Sequence, residues 1–340
     1  MKLSILIPVY NEIRYLELLT EKLFKSFKNE NVEYIFINDG STDGSREWIE
    51  NFIKKDSSNN IKFISFDNNQ GKGKALRKGL NESVGDFILF QDSDLELDTD
   101  DSYEMYKIIK NDQKIQCLFG TRYLSGKLKR NNNFINELAG RINSVIFNFL
   151  FHQSVSDVHC GTKIISKNIK DKINLSINDF GFEIDLATQI VKNNYDIFEY
   201  GISYFARTAD EGKKITWIDG LKSYYYLFRT RFIDNSISTQ FSIFFSVIYM
   251  TYIGSFFGLG TGKILMIIFT MILGLFIGLH RKIASSSIIY ILCFVGSLFS
   301  NGNGKIYTVL LGFIIGVYLS KKFASLVKKS SENRFINFFV

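Results

Sequence analysis

The chain has 340 residues, 46% hydrophobic and 22% charged, with a formal net charge of +7. That length buries a full core and leaves room for a second domain. Three widely separated cysteines, Cys117, Cys160 and Cys293, make no CxxC pair and suit a reducing, cytosolic setting. The basic surplus is uneven: acid gathers at 92–101, whereas Lys and Arg recur from 122 onward and at the C-terminus. Such asymmetry fits an anionic partner such as a membrane surface, a phosphate or a nucleic acid. A nucleic-acid partner is set aside, because the chain has no basic helix, zinc-finger spacing or aromatic ribonucleoprotein motif. His152, His159 and Cys160 lie close together but lack a fourth ligand at zinc-binding spacing. The opening "MKLSILIPVYNE" shows no signal-peptide pattern, so the N-terminal portion is expected in the cytosol.

In chain order, "KLSILIPV", "EYIFIND", "IKFISF", "DFILFQD" and "IQCLFG" are short apolar runs that predict buried strands of a largely parallel sheet. Helical spacing with polar faces covers 12–27, 44–55, 72–83 and 101–111. Strand alternating with helix predicts an α/β doubly wound domain, whose ligands sit at the carboxyl ends of the strands. "IPVYNE", "INDGSTDGS" and "FILFQDSDLELDTDD" occupy such ends. The last of these places Asp92, Asp94, Glu96, Asp98, Asp100 and Asp101 directly after a strand. Two explanations stand side by side. One is a solvated acidic loop leading into a helix N-terminus; the other is a divalent cation held by Asp92, Asp94 and Glu96.

Residues 134–151 carry an apolar stripe, Leu138, Ile142, Val145 and Phe149, that suits either a core-facing or an interfacial helix. "WIDGLKSYYYLFRTRF" sets Leu221, Tyr225, Phe228 and Phe232 on one face, flanked by Lys222, Arg229 and Arg231. That is the pattern of a helix lying in a membrane interface. The runs 235–262, 264–279, 283–304 and 306–320 then contain no Asp, Glu, Lys or Arg. A charge at mid-bilayer costs about 2.5–3.5 kcal/mol on the insertion scale, so four charge-free runs predict four membrane spans. The last run is short, and Lys305 and Lys321 are expected to snorkel from its ends. His280, Arg281 and Lys282 form a basic second connection, and Lys321, Lys322, Lys328, Lys329 and Arg334 follow the last run; the other connections carry only Lys263 and Lys305. The positive-inside rule then puts the N-terminal domain and the tail on the cytoplasmic side. The expected division is a catalytic domain at 1–215, an interface helix at 216–234, a four-helix membrane domain at 235–322 and a basic tail at 323–340.

"IPVYNE" at 7–12, "NDGSTDGS" at 38–45, "GKGKALRKG" at 71–79, "DSD" at 92–94, "GTRY" at 120–123, "DVHCGTK" at 157–163, "FGFEIDL" at 180–186 and "EGKKITWIDG" at 211–220 follow one another in order. Together they resemble the family 2 glycosyltransferases of the GT-A fold, in the polyprenyl-phosphate branch of dolichol-phosphate mannose synthases and undecaprenyl-phosphate glucosyltransferases. The resemblance spans about residues 3–232. It implies a Mg²⁺ or Mn²⁺ cofactor at Asp92, Asp94 and Glu96, the hard oxygen ligands such ions take. Glu96 departs mildly from the family, where Gln is common. The resemblance further implies Asp39 on the nucleotide base, Pro8, Tyr10 and Glu12 on the wall beside it, and Lys72 with Asp92 near the donor. Arg122 matches an acceptor-phosphate arginine, with Arg130 or Arg141 as the second. Arg207, Lys213 and Lys214 match a basic loop that closes over the diphosphate. Asp157 and Glu183 match acidic positions of the acceptor cleft. Asp94, Arg122 and Asp157 are thereby expected nearest the chemistry, while Asp98, Asp100 and Asp101 are expected to be solvated or to cap a helix.

The function so implied is inverting transfer of one hexose from UDP-glucose or GDP-mannose to undecaprenyl or dolichyl phosphate at the cytoplasmic membrane face. A homo-oligomer is compatible with it. The rival enzyme is a processive polysaccharide synthase, but neither Trp48 nor Trp217 follows the Gln-x-x-Arg pattern of that group. A membrane scaffold or lipid-translocation partner without turnover is the non-enzyme alternative.

Overall fold

The computed structural model describes residues 1–56, 60–124, 126–130, 134–208, 210–212, 214, 217–255, 261–280, 289–291, 293, 309 and 311–319. The chain divides into two compact units, Met1–Leu227 and Phe228–Val340.

The first unit begins β1 (Leu3–Val9), α1 (Ile13–Ser26), β2 (Val32–Asp39), α2 (Ser45–Lys55), β3 (Asn60–Phe66), α3 (Lys72–Glu82), β4 (Phe87–Phe90) and α4 (Thr99–Asn111). It continues with β5 (Cys117–Thr121), β6 (Lys129–Arg130), α5 (Phe134–Phe151), β7 (Lys163–Ser166), α6 (Lys167–Lys170), α7 (Phe182–Lys192), β8 (Phe198–Gly201), β9 (Tyr204–Phe205) and α8 (Trp217–Phe228). Seven strands form one sheet in the order β3-β2-β1-β4-β7-β5-β8, and β6 pairs with β9 apart from it. Five expected strands and four expected helices are present with shifts of one or two residues. β7 was not expected: it runs antiparallel between β4 and β5. Its four residues, "KIIS", are too few to carry a strand period, and the pairing that defines it comes from distant segments.

The buried strands explain the apolar runs. Every residue of β2 is buried and all but Pro8 of β1, because helices cover both faces of a parallel sheet. Leu16, Leu19 and Leu23 of α1 repeat at helical spacing and pack on β1 and β2, each worth about 1.5–3 kcal/mol of burial. Asp98 caps α4 by accepting from the Asp100 N–H, which answers part of the acid question. Asp101 corrects an expectation: it is buried, and it binds the Lys127 ammonium and the Ser203 N–H. Because β2 and β3 lie on one side of β1 and β4 on the other, the strand order reverses between β1 and β4. Ligand crevices open at such a reversal.

In the second unit a π-helical turn (Arg229–Ile233) precedes α9 (Ile237–Gly254) and α10 (Thr261–His280). Ser236 caps α9 through the Thr239 N–H. Phe232 is 5% exposed and packs edge-on against Phe276, so it leaves the face expected for it; the wider π turn rotates it away. Gly274 and Gly278 let the two helices touch backbone to backbone, since a Cβ at either would lie within 2.7 Å of main-chain atoms of α9. Among the described residues no helix is long and apolar enough to cross a membrane. Eighteen residues of α9 rise about 27 Å and the uncharged 264–279 about 24 Å, against roughly 30 Å of hydrocarbon. Lys263, expected in a connection, lies instead in the first turn of α10. The run 283–304 and the basic residues at 281–282, 305 and beyond 320 fall largely outside the described residues, and of 306–320 residues 309 and 311–319 are described, as helix.

Candidate active site

The end of β1 is clasped to its neighbours by short polar side chains. Ser93 Oγ donates to the Pro8 carbonyl at 2.8 Å, and Asn11 Oδ1 accepts the Thr42 N–H at 2.7 Å. The Glu12 N–H donates to Ser45 Oγ at 3.1 Å. These bonds bring "VYNE", "GSTDGS" and "DSDLE" to one rim. Asp39 receives the N–H groups of Gln70 and Gly71 at 2.8 and 2.9 Å, so its carboxylate ties β2 to the turn before α3. Burial raises its pKa above the usual carboxylate range in spite of those bonds. Gly71 has φ 96°, and Lys72 follows as the first residue of α3.

Charges alternate along this rim. Lys72 Nζ lies 2.6 Å from Asp92 and 3.2 Å from Glu183; burial opposes its charge, but the two carboxylates outweigh that and hold the ammonium well above its ordinary pKa. Arg207, 9% exposed, reaches Asp94 at 2.8 Å and Glu12 at 2.9 Å and lies 3.5 Å from Glu96. Lys214 Nζ pairs with Glu12 at 2.6 Å, and also sits over the Tyr10 ring and donates to the Tyr10 carbonyl. Glu12 therefore meets Arg207 and Lys214, and Tyr10 meets Lys214. Asp94 is pushed up to about 7 by burial and by the charge of Asp92 beside it. Leu95, between Asp94 and Glu96, has φ 57°, a left-handed conformation costing about 1–2 kcal/mol in a non-glycine residue.

Each expected metal ligand has a partner in this fold: Asp92 has Lys72, Asp94 has Arg207, and Glu96 has Arg207 and Tyr204. Glu96 accepts from the Tyr204 hydroxyl at 3.1 Å and the Arg207 N–H at 2.9 Å, and its charge bears on Asp94 through the space they share with Arg207. Among the described residues, no three His, Cys, Asp or Glu side chains are grouped to hold a metal. Asp92 and Asp94 do fit a divalent cation whose remaining ligands come from a substrate, the usual arrangement for Mg²⁺ with phosphates. A Cβ at Gly161 would lie 2.0 Å from Asp92 Oδ2, so this glycine leaves the room that the carboxylate occupies.

Just past β5 Arg122 makes a bidentate pair with the wholly buried Asp157 at 2.6 and 2.7 Å, and its guanidinium lies over the Tyr204 ring at 5.2 Å. Two of the five guanidinium N–H donors are thereby used. Arg122 and Arg141 both lie over the Tyr123 ring, at 5.6 and 4.3 Å, with Lys129 at 5.3 Å. Arg130, half exposed, is held instead by Glu211 at 2.9 Å. The structure thus sets Arg141, rather than Arg130, beside Arg122. Lys213 lies outside the described residues. Glu183 contacts Lys72 and the buried Lys163, so it faces the donor-side lysine. Tyr123, Gly161, Lys163 and Tyr204 were not singled out as site residues. The first three stand inside the motifs "GTRY" and "DVHCGTK", but only the tertiary contacts give them a task.

Residues 4–173 match the family model Glycosyl transferase family 2. A dolichyl-phosphate β-glucosyltransferase of Dictyostelium discoideum is 28% identical over 227 residues, 63% of this chain and 68% of that protein. An undecaprenyl-phosphate 4-deoxy-4-formamido-L-arabinose transferase of Proteus mirabilis is 27% identical over half of each chain. A dolichol-phosphate mannosyltransferase of Pyrococcus furiosus is 26% identical over 63% of this chain and 59% of that protein. The chain thus spans half to about two thirds of the length of these relatives. Glucosyl-3-phosphoglycerate synthase of Mycobacterium tuberculosis, solved with UDP, shares the fold at a TM-score of 0.54 with 18% identity, over 69% of this chain and 82% of that one. The strand order, the acidic pair at its reversal and the family match agree: this chain belongs to glycosyl transferase family 2 and is a glycosyltransferase of the GT-A fold.

Proposed function

We propose that the enzyme transfers a single hexose from a nucleotide-diphosphate sugar to a polyprenyl phosphate, with inversion, at the cytoplasmic face of a membrane. The observation that carries this reading is a chain of contacts joining two charged clusters: Arg122 lies over the Tyr204 ring at 5.2 Å, Tyr204 donates to Glu96, and Arg207 joins Glu96 to Asp94. Lys72 pairs with Asp92 beside Asp94 in one cluster, and Arg122 and Arg141 share Tyr123 in the other. The names of the relatives support a polyprenyl-phosphate acceptor. A lipid phosphate is ionised at neutral pH, so its oxygen attacks the anomeric carbon without a general base. The bond from that carbon to the diphosphate breaks as the new one forms, and an α-linked donor gives a β-linked product. Arg122, oriented by Asp157, and Arg141 hold the acceptor phosphate in line. Lys72 and the basic 207–214 segment meet the negative charge that grows on the leaving diphosphate. Asp92 and Asp94 would hold Mg²⁺ or Mn²⁺, which supplies further charge stabilisation worth several kcal/mol. The neighbouring fold has been solved with Mn²⁺ and UDP, which supports that choice of ion.

The membrane part of the proposal draws on exposed apolar surface. On α5, Leu138, Ile142, Val145 and Phe149 are 40–67% exposed, which favours an interfacial helix over a core-facing one. On α8, Leu221, Tyr225 and Phe228 are 42–56% exposed. α9 and α10 turn Phe244, Ile248, Leu265 and Phe269 outward. Apolar patches of this kind mark membrane or partner surfaces. With the four charge-free runs, they support an integral membrane protein whose catalytic unit and termini face the cytoplasm.

The test is a transfer assay on the detergent-purified chain, with undecaprenyl or dolichyl phosphate and labelled UDP-glucose or GDP-mannose, each with Mn²⁺ and with EDTA. Label should enter the lipid phase from one donor, only with metal. No lipid-linked label from any donor, with the protein folded, would overturn the acceptor and favour the non-transferring scaffold.

A further inference from the structure

Lys163 on β7 has no exposed side chain, a state that lysine hardly ever occupies unless paired. Its ammonium donates to the Cys160 carbonyl and to Glu183 Oε2, the latter at 2.5 Å. The other Glu183 oxygen faces Lys72 Nζ at 3.2 Å, and Lys72 continues to Asp92 at 2.6 Å. Two cations and two carboxylates therefore alternate from the core to the crevice, crossing β7, the first turn of α7 and the start of α3. Stability does not require such a line, since a buried ion pair is often replaced by apolar residues without loss. What the line supplies is direction. A lysine ammonium is a point charge on a flexible four-carbon stem, and Glu183 gives it a second fixed contact beside Asp92.

We propose that Glu183, anchored from the core by Lys163, is a positioning residue that holds the Lys72 ammonium in place for the diphosphate of the sugar donor. This rests on the donor half of the function proposed above. The test is calorimetry of UDP and GDP binding, with Mn²⁺, to the full chain in detergent. Wild type should bind one of the two nucleotides. Glu183→Gln should weaken that binding about tenfold, the lower end of what removing a supporting residue costs a bound group. Lys72→Gln should weaken it at least as much, and adding Glu183→Gln to Lys72→Gln should change it less than twofold, because Glu183 acts through Lys72. The pair Lys163→Met with Glu183→Leu removes the line without leaving a buried charge. It should melt near wild type and still show the tenfold weakening, and it answers the question if Glu183→Gln does not fold. Losses that add up in the Lys72→Gln background, or wild-type affinity in the apolar pair, would overturn the proposal. Binding of neither nucleotide by folded wild type would overturn the donor reading and this proposal with it. Intact nucleotide binding without lipid-linked product would overturn the acceptor alone.

Discussion

Asp94 lies among two like charges, Asp92 and Glu96, and one opposite charge, Arg207, in a buried turn. Asp94→Asn keeps the shape and removes the charge. Transfer should fall about a hundredfold or more, the scale on which a lost electrostatic stabiliser acts, with the melting temperature unchanged. Near-normal turnover would remove Asp94 from the reaction. Gly161 tests the same site from behind. An added Cβ meets the end of the Asp92 side chain rather than backbone, so Gly161→Ala should fold normally. Calorimetry should nevertheless show Mn²⁺-dependent nucleotide binding weakened about 10–100-fold, because Asp92 is displaced. His159 reports on acid sensitivity. Its Nε2 is buried without a partner among the described residues, and burial lowers its pKa from 6.5 to about 4. The unfolded chain then binds the proton more readily than the folded one. This contribution is complete above about pH 6.5 and is lost as pH falls toward 4, by about 3 kcal/mol at most. Denaturation midpoints taken between pH 7 and 4.5 should decline, and His159→Gln should flatten the decline. An unchanged slope would assign it to other groups.

Among the elements, α5 shows how an amphipathic pattern leaves its partner open. The stripe at 138, 142, 145 and 149 suits a buried or an interfacial face equally; in the fold that face is solvent-exposed, while Phe147, Leu150 and Phe151 face inward. In a fragment ending at Leu227, which lacks the proposed spans, Val145→Glu with Phe149→Glu should leave the melting temperature within a degree or two and sharply reduce co-sedimentation with anionic vesicles. Full vesicle binding in that variant would take α5 out of the membrane surface. The turn at 229–233 makes the complementary case. Phe232 fits the α-helical face of Leu221 and Phe228, yet a π-helical turn breaks the 3.6-residue period and buries it.

For the molecule as a whole, the division after Leu227 has a consequence of its own. The main sheet, the rim and the Arg122–Asp157 pair all lie in Met1–Leu227, with their own core. A fragment ending at Leu227 should therefore bind the donor nucleotide with Mn²⁺ within about threefold of the full chain, measured by calorimetry. It should lose most transfer to a polyprenyl phosphate embedded in vesicles. A fragment that folds but does not bind nucleotide would show that the second unit completes the donor site.

The sequence by itself determined the doubly wound class, the strand ends that carry the site, and most of its charged residues. Those follow from local signals: apolar runs of strand length, helical spacing, glycine-flanked turns and the ordered motifs. Partnership was decided only by the tertiary structure. What Glu96 bonds, whether Arg130 or Arg141 joins Arg122, and which lysines Glu183 holds depend on residues far apart in the chain, up to more than a hundred positions. The antiparallel insertion of β7 likewise joins segments far apart in the chain. A charge in the sequence says that it must be balanced or solvated, and the fold chooses what balances it.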